Sequence, residues 1–294
     1  GRRLIDQPQN KFKKGDEMIF EIDKESKKIM ATIQRNGDAE KYECSLLACD
    51  NPVCACQDVT VNLSPLRDEN KEGYRLSSHS IEIDVIEKKL GYRDKKIIPK
   101  DDLAFADFFL SKLDDSDYQF LYERHFGYKN DITEKANLDA IDAHFDYEEV
   151  EKEGIMYAYN DVLPYGDQMI VTIDGRNCII FDQYCLLPKC SCTDTVLNIM
   201  VADTFGEAGE EICAVALKYA KKSWKALEDS PCPGSVKAVR SAIEGQIPDL
   251  YERLHNRHIK LKGIYANCKK RNFSPKQPIQ VPKVGRNEPC PCGS

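Results

Sequence analysis

Three cysteines fall within eight residues in "CLLPKCSCTD", Cys185 to Asp194, as C-x4-C-x-C. The stretch "CDNPVCACQD", Cys49 to Asp58, has the same spacing and the same closing Asp, 136 residues earlier. Thiolates ligate zinc at about 2.3 Å per sulfur, and three on one short turn can hold a single ion. Chelation suits the C-x-C pairs better than disulfide formation, which closes a strained ring. A chain of 294 residues also folds without disulfide staples. Each triplet ends in an Asp two residues past its last cysteine. Asp58 and Asp194 could serve as catalytic carboxylates beside an open zinc. The simpler expectation is a turn-forming residue or an acceptor that supports the ligands.

A closed tetrahedral site needs a fourth ligand, and the repeated pattern nominates one for each triplet. His79 lies 23 residues after Cys56, and Cys213 lies 21 residues after Cys192. Each opens a run with apolar residues at alternate positions, Ile81 and Ile83 in one, Val215 and Leu217 in the other. The expected sites are Cys49, Cys54, Cys56 and His79, and Cys185, Cys190, Cys192 and Cys213, with zinc as the cofactor. Cys44 and Cys178 are the local alternatives as fourth ligands. The plain alternative is a set of reduced core cysteines with no metal, which is also the expectation for Cys44, Cys178, Cys232 and Cys268 as unmatched residues.

The elements that must carry these residues are themselves paired. A β-branched run (Ile29 to Ile33; Ile170 to Ile173) meets a glycine turn (Gly37; Gly175). A second strand enters the cysteines, a third follows as "VTVNL" or "TVLNI", and the fourth begins at His79 or Cys213. Between the copies the period becomes helical. "DDLAFADFFLSKL" follows Pro99, "SDYQFLYERHF" is capped by Ser116, and a third helix is expected over "EKANLDAIDAHF". Near the end, "PGSVKAVRSAIEG" and "PDLYERLHNRHIKLKGIYANCKKR" read as two basic helices. The fold class expected is α+β: two zinc-stapled antiparallel β units, a helical bridge and a helical C-terminal segment. The boundaries fall at 1–95, 96–149, 150–228, 229–273 and a linker-plus-tail at 274–294.

The ending "GRNEPCPCGS" resembles the first half of the SEC-C motif, the zinc-binding tail of the SecA translocase ATPase family. The match runs from Gly285 to Ser294, about ten residues. The resemblance implies a zinc-binding tail for protein or ribosome contacts, with Cys290 and Cys292 as two of four ligands. The motif's second half is missing after Ser294, so the expectation is a longer natural protein. Nothing of the motor is present: no G-x-x-x-x-G-K-[ST] loop occurs.

Other chemistry is thinly represented. No H-E-x-x-H, G-x-S-x-G or G-x-G-x-x-G occurs. His255 and His258 lie within one helical turn and read as surface histidines. The acidic runs "YEEVEKEG" and "LDDSDY" read as solvated helix faces and caps. No apolar run approaches the length of a membrane span, and a cytoplasmic, reducing location is expected. Net charge is −7, yet from Ala214 onward sixteen Lys/Arg stand against six Asp/Glu. That basic segment could meet an acidic partner or dock on the chain's own acidic body. The function expected is a zinc-binding adaptor for a protein or ribonucleoprotein partner. The rivals are a metal-dependent hydrolase or nuclease with an open zinc, and a nucleic-acid binder using the basic end. The single tryptophan, Trp224, and the acidic body give the last little support.

Overall fold

In the computed structural model of the chain, the described residues are 18–35, 37–66, 77–91, 100–202, 208–227, 230 and 232–273. They form two antiparallel six-stranded sheets with helices, an α+β architecture. The expected linker and tail, with Cys290 and Cys292, lie outside the described residues.

The first sheet is a meander in chain order: β1 (Phe20–Ile22), β2 (Ile29–Arg35), β3 (Asp38–Leu47), β4 (Asp58–Pro65), β5 (His79–Asp84) and β6 (Lys89–Leu90). Alternation decides which face is buried: Val59, Val61 and Leu63 of β4 point inward with Ile81 and Ile83 of β5. That face is covered by α1 (Lys100–Leu110) and α2 (Asp115–Lys135). Asp114, not Ser116, caps α2; its carboxylate accepts from the Ser116 and Asp117 amides, and Asp117 reaches back to the Asp114 amide. Asp117 also accepts from the Ile19 and Phe20 amides at 2.9 and 3.3 Å, which ties the edge strand to the helix start.

The second sheet runs β12 (Ser223–Ala226), β11 (Ala208–Lys218), β10 (Asp194–Ala202), β9 (Arg176–Cys185) and β7 (Met156–Ala158), with β8 (Met169–Ile173) also on β9. β7 and β8 share one edge of β9, β7 beside Cys185 and β8 beside the turn. The short α3 (Tyr159–Val162) joins them. The sheet packs against α4 (Val236–Gln246) and α5 (Leu250–Phe273).

The two sheets share a register. Asp58 pairs with Asp84 and Asp194 with Lys218; Leu63 pairs with His79 and Ile199 with Cys213. Ile81 faces Val61, and Val215 faces Leu197. The turn that closes each sheet places a lysine, Lys88 or Lys222, at the same left-handed φ of 52°. Phe105 and Phe109 of α1, and Val239 and Ile243 of α4, are buried at the same spacing of four residues.

One expectation fails here. The third bridge helix is absent: α2 ends at Lys135, Ala136 is extended, and Asn137 caps a single 3₁₀ turn over 138–140. Beyond it Ile141, Ala143 and Phe145 are buried, a period of two that belongs to extended chain. Of the two readings of the basic segment, α5 shows docking on the chain's own acidic body. Arg257 pairs with Asp182 at 2.7 Å, Arg253 with Asp167 at 2.9 Å, Lys260 with Glu134 at 3.6 Å, and Lys269 with Glu151. These cations of α5 dock on carboxylates of the chain's own body.

Phe109 is fully buried between the first sheet and its helices, with Phe20 edge-on at 6.1 Å and Phe105 stacked at 6.4 Å. Phe109→Ala is expected to cost about 3–5 kcal/mol through lost transfer energy and the cavity left behind. Chemical denaturation should show this as a lower midpoint with an unchanged m-value.

Candidate metal centres

The cysteine triplets lie at the connections between the sheet's central strands: Cys49, Cys54 and Cys56 in the loop from β3 to β4, and Cys190 and Cys192 in the loop from β9 to β10, with Cys185 as the last residue of β9. The same turn folds each: the Cys54 amide donates to the Asn51 carbonyl at 3.2 Å, and the Cys190 amide to the Leu187 carbonyl at 3.1 Å. Each loop is then clamped to the end of the next hairpin, Val85 N–H to Gln57 O at 3.2 Å and Tyr219 N–H to Thr193 O at 3.0 Å. As a result the sulfurs of Cys49, Cys54 and Cys56 lie within 4.8 Å of one another, and so do those of Cys185, Cys190 and Cys192. Each group could hold one metal ion.

The two triads share an electrostatic profile. In the first, burial raises Cys54, but the Cys56 amide and the Cys56 and Cys49 thiols, with Lys129 nearby, outweigh it and hold Cys54 below the usual thiol range. In the second, the Cys192 amide and thiol are the main causes that hold Cys190 down, with Cys185 and Lys262 adding to them. The last cysteine of each triad goes the other way. Burial, then the neighbouring sulfurs, push Cys56 and Cys192 up to about 12. The close sulfurs thus favour ionisation of the middle cysteine over the last. A divalent cation would remove the penalty on the last.

A helix lies against each loop. Lys129 of α2 is fully buried and donates to the Cys49 carbonyl at 3.2 Å and the Asn51 carbonyl at 2.8 Å. Lys262 of α5 donates to the Cys190 carbonyl. One turn before each lysine stands a buried histidine, His125 or His258. His258 is fully engaged: its Nε2–H donates to the Cys185 carbonyl at 2.8 Å, so its Nδ1 accepts from the Tyr219 hydroxyl at 2.9 Å. His258 is therefore not a surface residue, unlike exposed His255. Burial, with Lys129 adding to it, pushes His125 down to about 4. The sequence carries this element as "RHFGYK" and "RHIKLK", an R-H-x3-K spacing in both helices that the cysteine-centred reading missed.

The expected fourth ligands do not reach the triads. His79 pairs with Leu63, five residues along β4 from Asp58, so it sits about 17 Å along the strand from the cysteine end. Its ring stacks on Phe105 at 3.6 Å, and its Nδ1 lies 3.7 Å from Asp102. Cys213 occupies the matching position opposite Ile199, equally far from its triad. It forms a disulfide with Cys232, the two Cα atoms 4.7 Å apart. The chain after β12 turns back along β11, where Leu227 donates to the Ala214 carbonyl at 3.2 Å, and brings Cys232 to this place. Cys232 is thus half of a disulfide, not a reduced core cysteine. Cys44, Cys178 and Cys268 are buried free thiols in the cores. Burial pushes Cys44 up to about 12, which suits an inert core thiol. Asp194 is engaged with Lys218 at 3.1 Å, and Asp58 packs against the backbone of Gly91, where a Cβ would lie 2.5 Å from its Oδ1. Neither carboxylate joins a triad.

Comparison with family profiles, curated proteins and solved structures found no match for the chain. Among the described residues, no helix is long and apolar enough to cross a membrane.

Lys129→Met is expected to keep most of the packing volume while leaving two loop carbonyls without their donor. The expected cost is about 1–3 kcal/mol in stability. It should also weaken metal binding at the first triad by about 10–100-fold, the range for a residue that supports ligands. A chelator competition titration beside thermal unfolding checks both.

Proposed function

We propose that the chain is a duplicated zinc-binding adaptor whose zincs are structural. The observation that carries this reading is the convergence of three thiols at the same place in two sheets of one register. A second fact agrees with it. Lys129 is a buried ammonium whose partners are carbonyls and the Tyr165 ring, with no carboxylate among the described residues to balance it. An unpaired buried cation is costly. Three thiolates on one divalent ion carry a net charge of −1, which is the missing counter-charge. Zinc is the ion that fits best, because sulfur-rich tetrahedral sites are its commonest structural use.

Each site would tie the loop between central strands to a helix from the opposite layer, which gives metal binding a folding role. The reading places the protein in a reducing cytoplasm, where the triads stay reduced, whereas the Cys213–Cys232 disulfide speaks for an oxidising compartment. It assigns a protein or ribonucleoprotein partner through the tail that resembles SEC-C. A metal-dependent hydrolase is the second reading, since three protein ligands leave a fourth position for water. Direct nucleic-acid binding is disfavoured by the ion pairs that α5 makes within the chain.

Elemental analysis of protein purified without added metal is expected to give two zinc equivalents for the two triads. Cys54→Ser and Cys190→Ser should each lose one equivalent and lower the melting temperature. Retention of both equivalents in either variant, or no zinc in the parent protein, contradicts the proposal.

A further inference from the structure

We infer that His125 is the fourth protein ligand of the first triad and closes a sphere of three sulfurs and one nitrogen; this rests on the metal-binding reading above. His125 is 3% exposed, and neither ring nitrogen has a hydrogen-bond partner. A buried polar group without a partner costs about 1–3 kcal/mol, and an imidazole has two. Native cores rarely retain such a group unless something absent from the polypeptide takes its lone pair. A metal ion does so.

The position of the ring fits that use. Lys129, one turn further along α2, donates to the carbonyls of Cys49 and Asn51. The Tyr165 ring meets His125 edge-on at 5.2 Å, and the Tyr165 hydroxyl donates to the Cys56 carbonyl at 2.7 Å. The imidazole is thus bracketed by residues that hold the first and last cysteines of the triad. Its nitrogens lie outside the group of three sulfurs that converge within 4.8 Å, so ligation draws the ring inward by side-chain rotation. The second unit supplies the contrast. His258 comes to its own cysteine loop from the matching helix, yet Tyr219 and the Cys185 carbonyl already engage both of its nitrogens. Among the described residues, only the first unit presents a buried histidine with both nitrogens unpartnered.

The full chain loaded with cadmium and observed by ¹¹³Cd NMR tests the assignment, because the chemical shift reports the number of sulfur ligands. The parent protein should show two resonances. In His125→Cys one resonance should move toward the four-sulfur position while the other stays. His125→Phe keeps the buried bulk but has no ligand atom; its first-site affinity should fall by more than about 100-fold, beyond the loss expected for a residue that only supports ligands. Two resonances at parental positions in His125→Cys, with parental affinity in His125→Phe, would overturn the inference while leaving the metal reading intact. Absence of bound cadmium in the parent protein would overturn the metal reading, and the inference with it.

Discussion

Lys129 is the fully buried lysine that joins a helix to the first cysteine loop. Its ammonium is buried against the carbonyls of Cys49 and Asn51, over the face of Tyr165, with no carboxylate partner among the described residues. Burial of an uncompensated charge is among the most expensive arrangements a core can contain. The sulfurs beside it face the opposite problem, because burial and then the neighbouring sulfurs hold Cys56 back from ionising beside Cys54. Under the proposed reading a divalent cation on three thiolates would resolve both at once: the sulfurs would ionise together, and the cluster's residual negative charge would face the ammonium. The loop and the helix that carries Lys129 meet at those two carbonyls, so the charge balance there bears on both.

The strand register explains why the triads form where they do. In each sheet the loop between central strands emerges at one end, and the next hairpin returns to clamp it through Val85 or Tyr219. The following helices cross that end and deliver a lysine to the loop, Lys129 or Lys262. The opposite end of each sheet is finished by different chemistry. The first sheet has His79 stacked on Phe105, and the second has the Cys213–Cys232 disulfide. Matched positions along the strands thus hold unlike residues once they are away from the cysteine loop.

Much of this was legible in the residues. The strands around both triplets follow from β-branched alternation and glycine turns, and α1, α2, α4 and α5 follow from helical periodicity. The triads follow from C-x4-C-x-C alone, because a loop that short cannot separate its sulfurs widely. His79 and Cys213 were rightly paired with each other but wrongly placed. Sequence spacing shows that two residues open equivalent strands; it does not show which end of an antiparallel strand faces the loop. His79 and Cys213 begin strands that run back toward the cysteines, so they start at the far end. The helix-borne His125 and His258 were hidden because their periodicity reads as ordinary core. The end of α2 is signalled only by the period of two in Ile141, Ala143 and Phe145, three residues too few to outweigh the helical run before them. The pairing of Cys232 depended on a chain reversal that no local pattern announces.

X-ray absorption at the zinc K-edge of the purified full chain tests the central claim most directly, because it reads the atoms on the metal without altering the protein. The account predicts a first shell dominated by sulfur at about 2.3 Å, with about three sulfurs per zinc averaged over the two triads. A shell of only nitrogen and oxygen at about 2.0–2.1 Å would place any bound zinc away from the cysteines and contradict it.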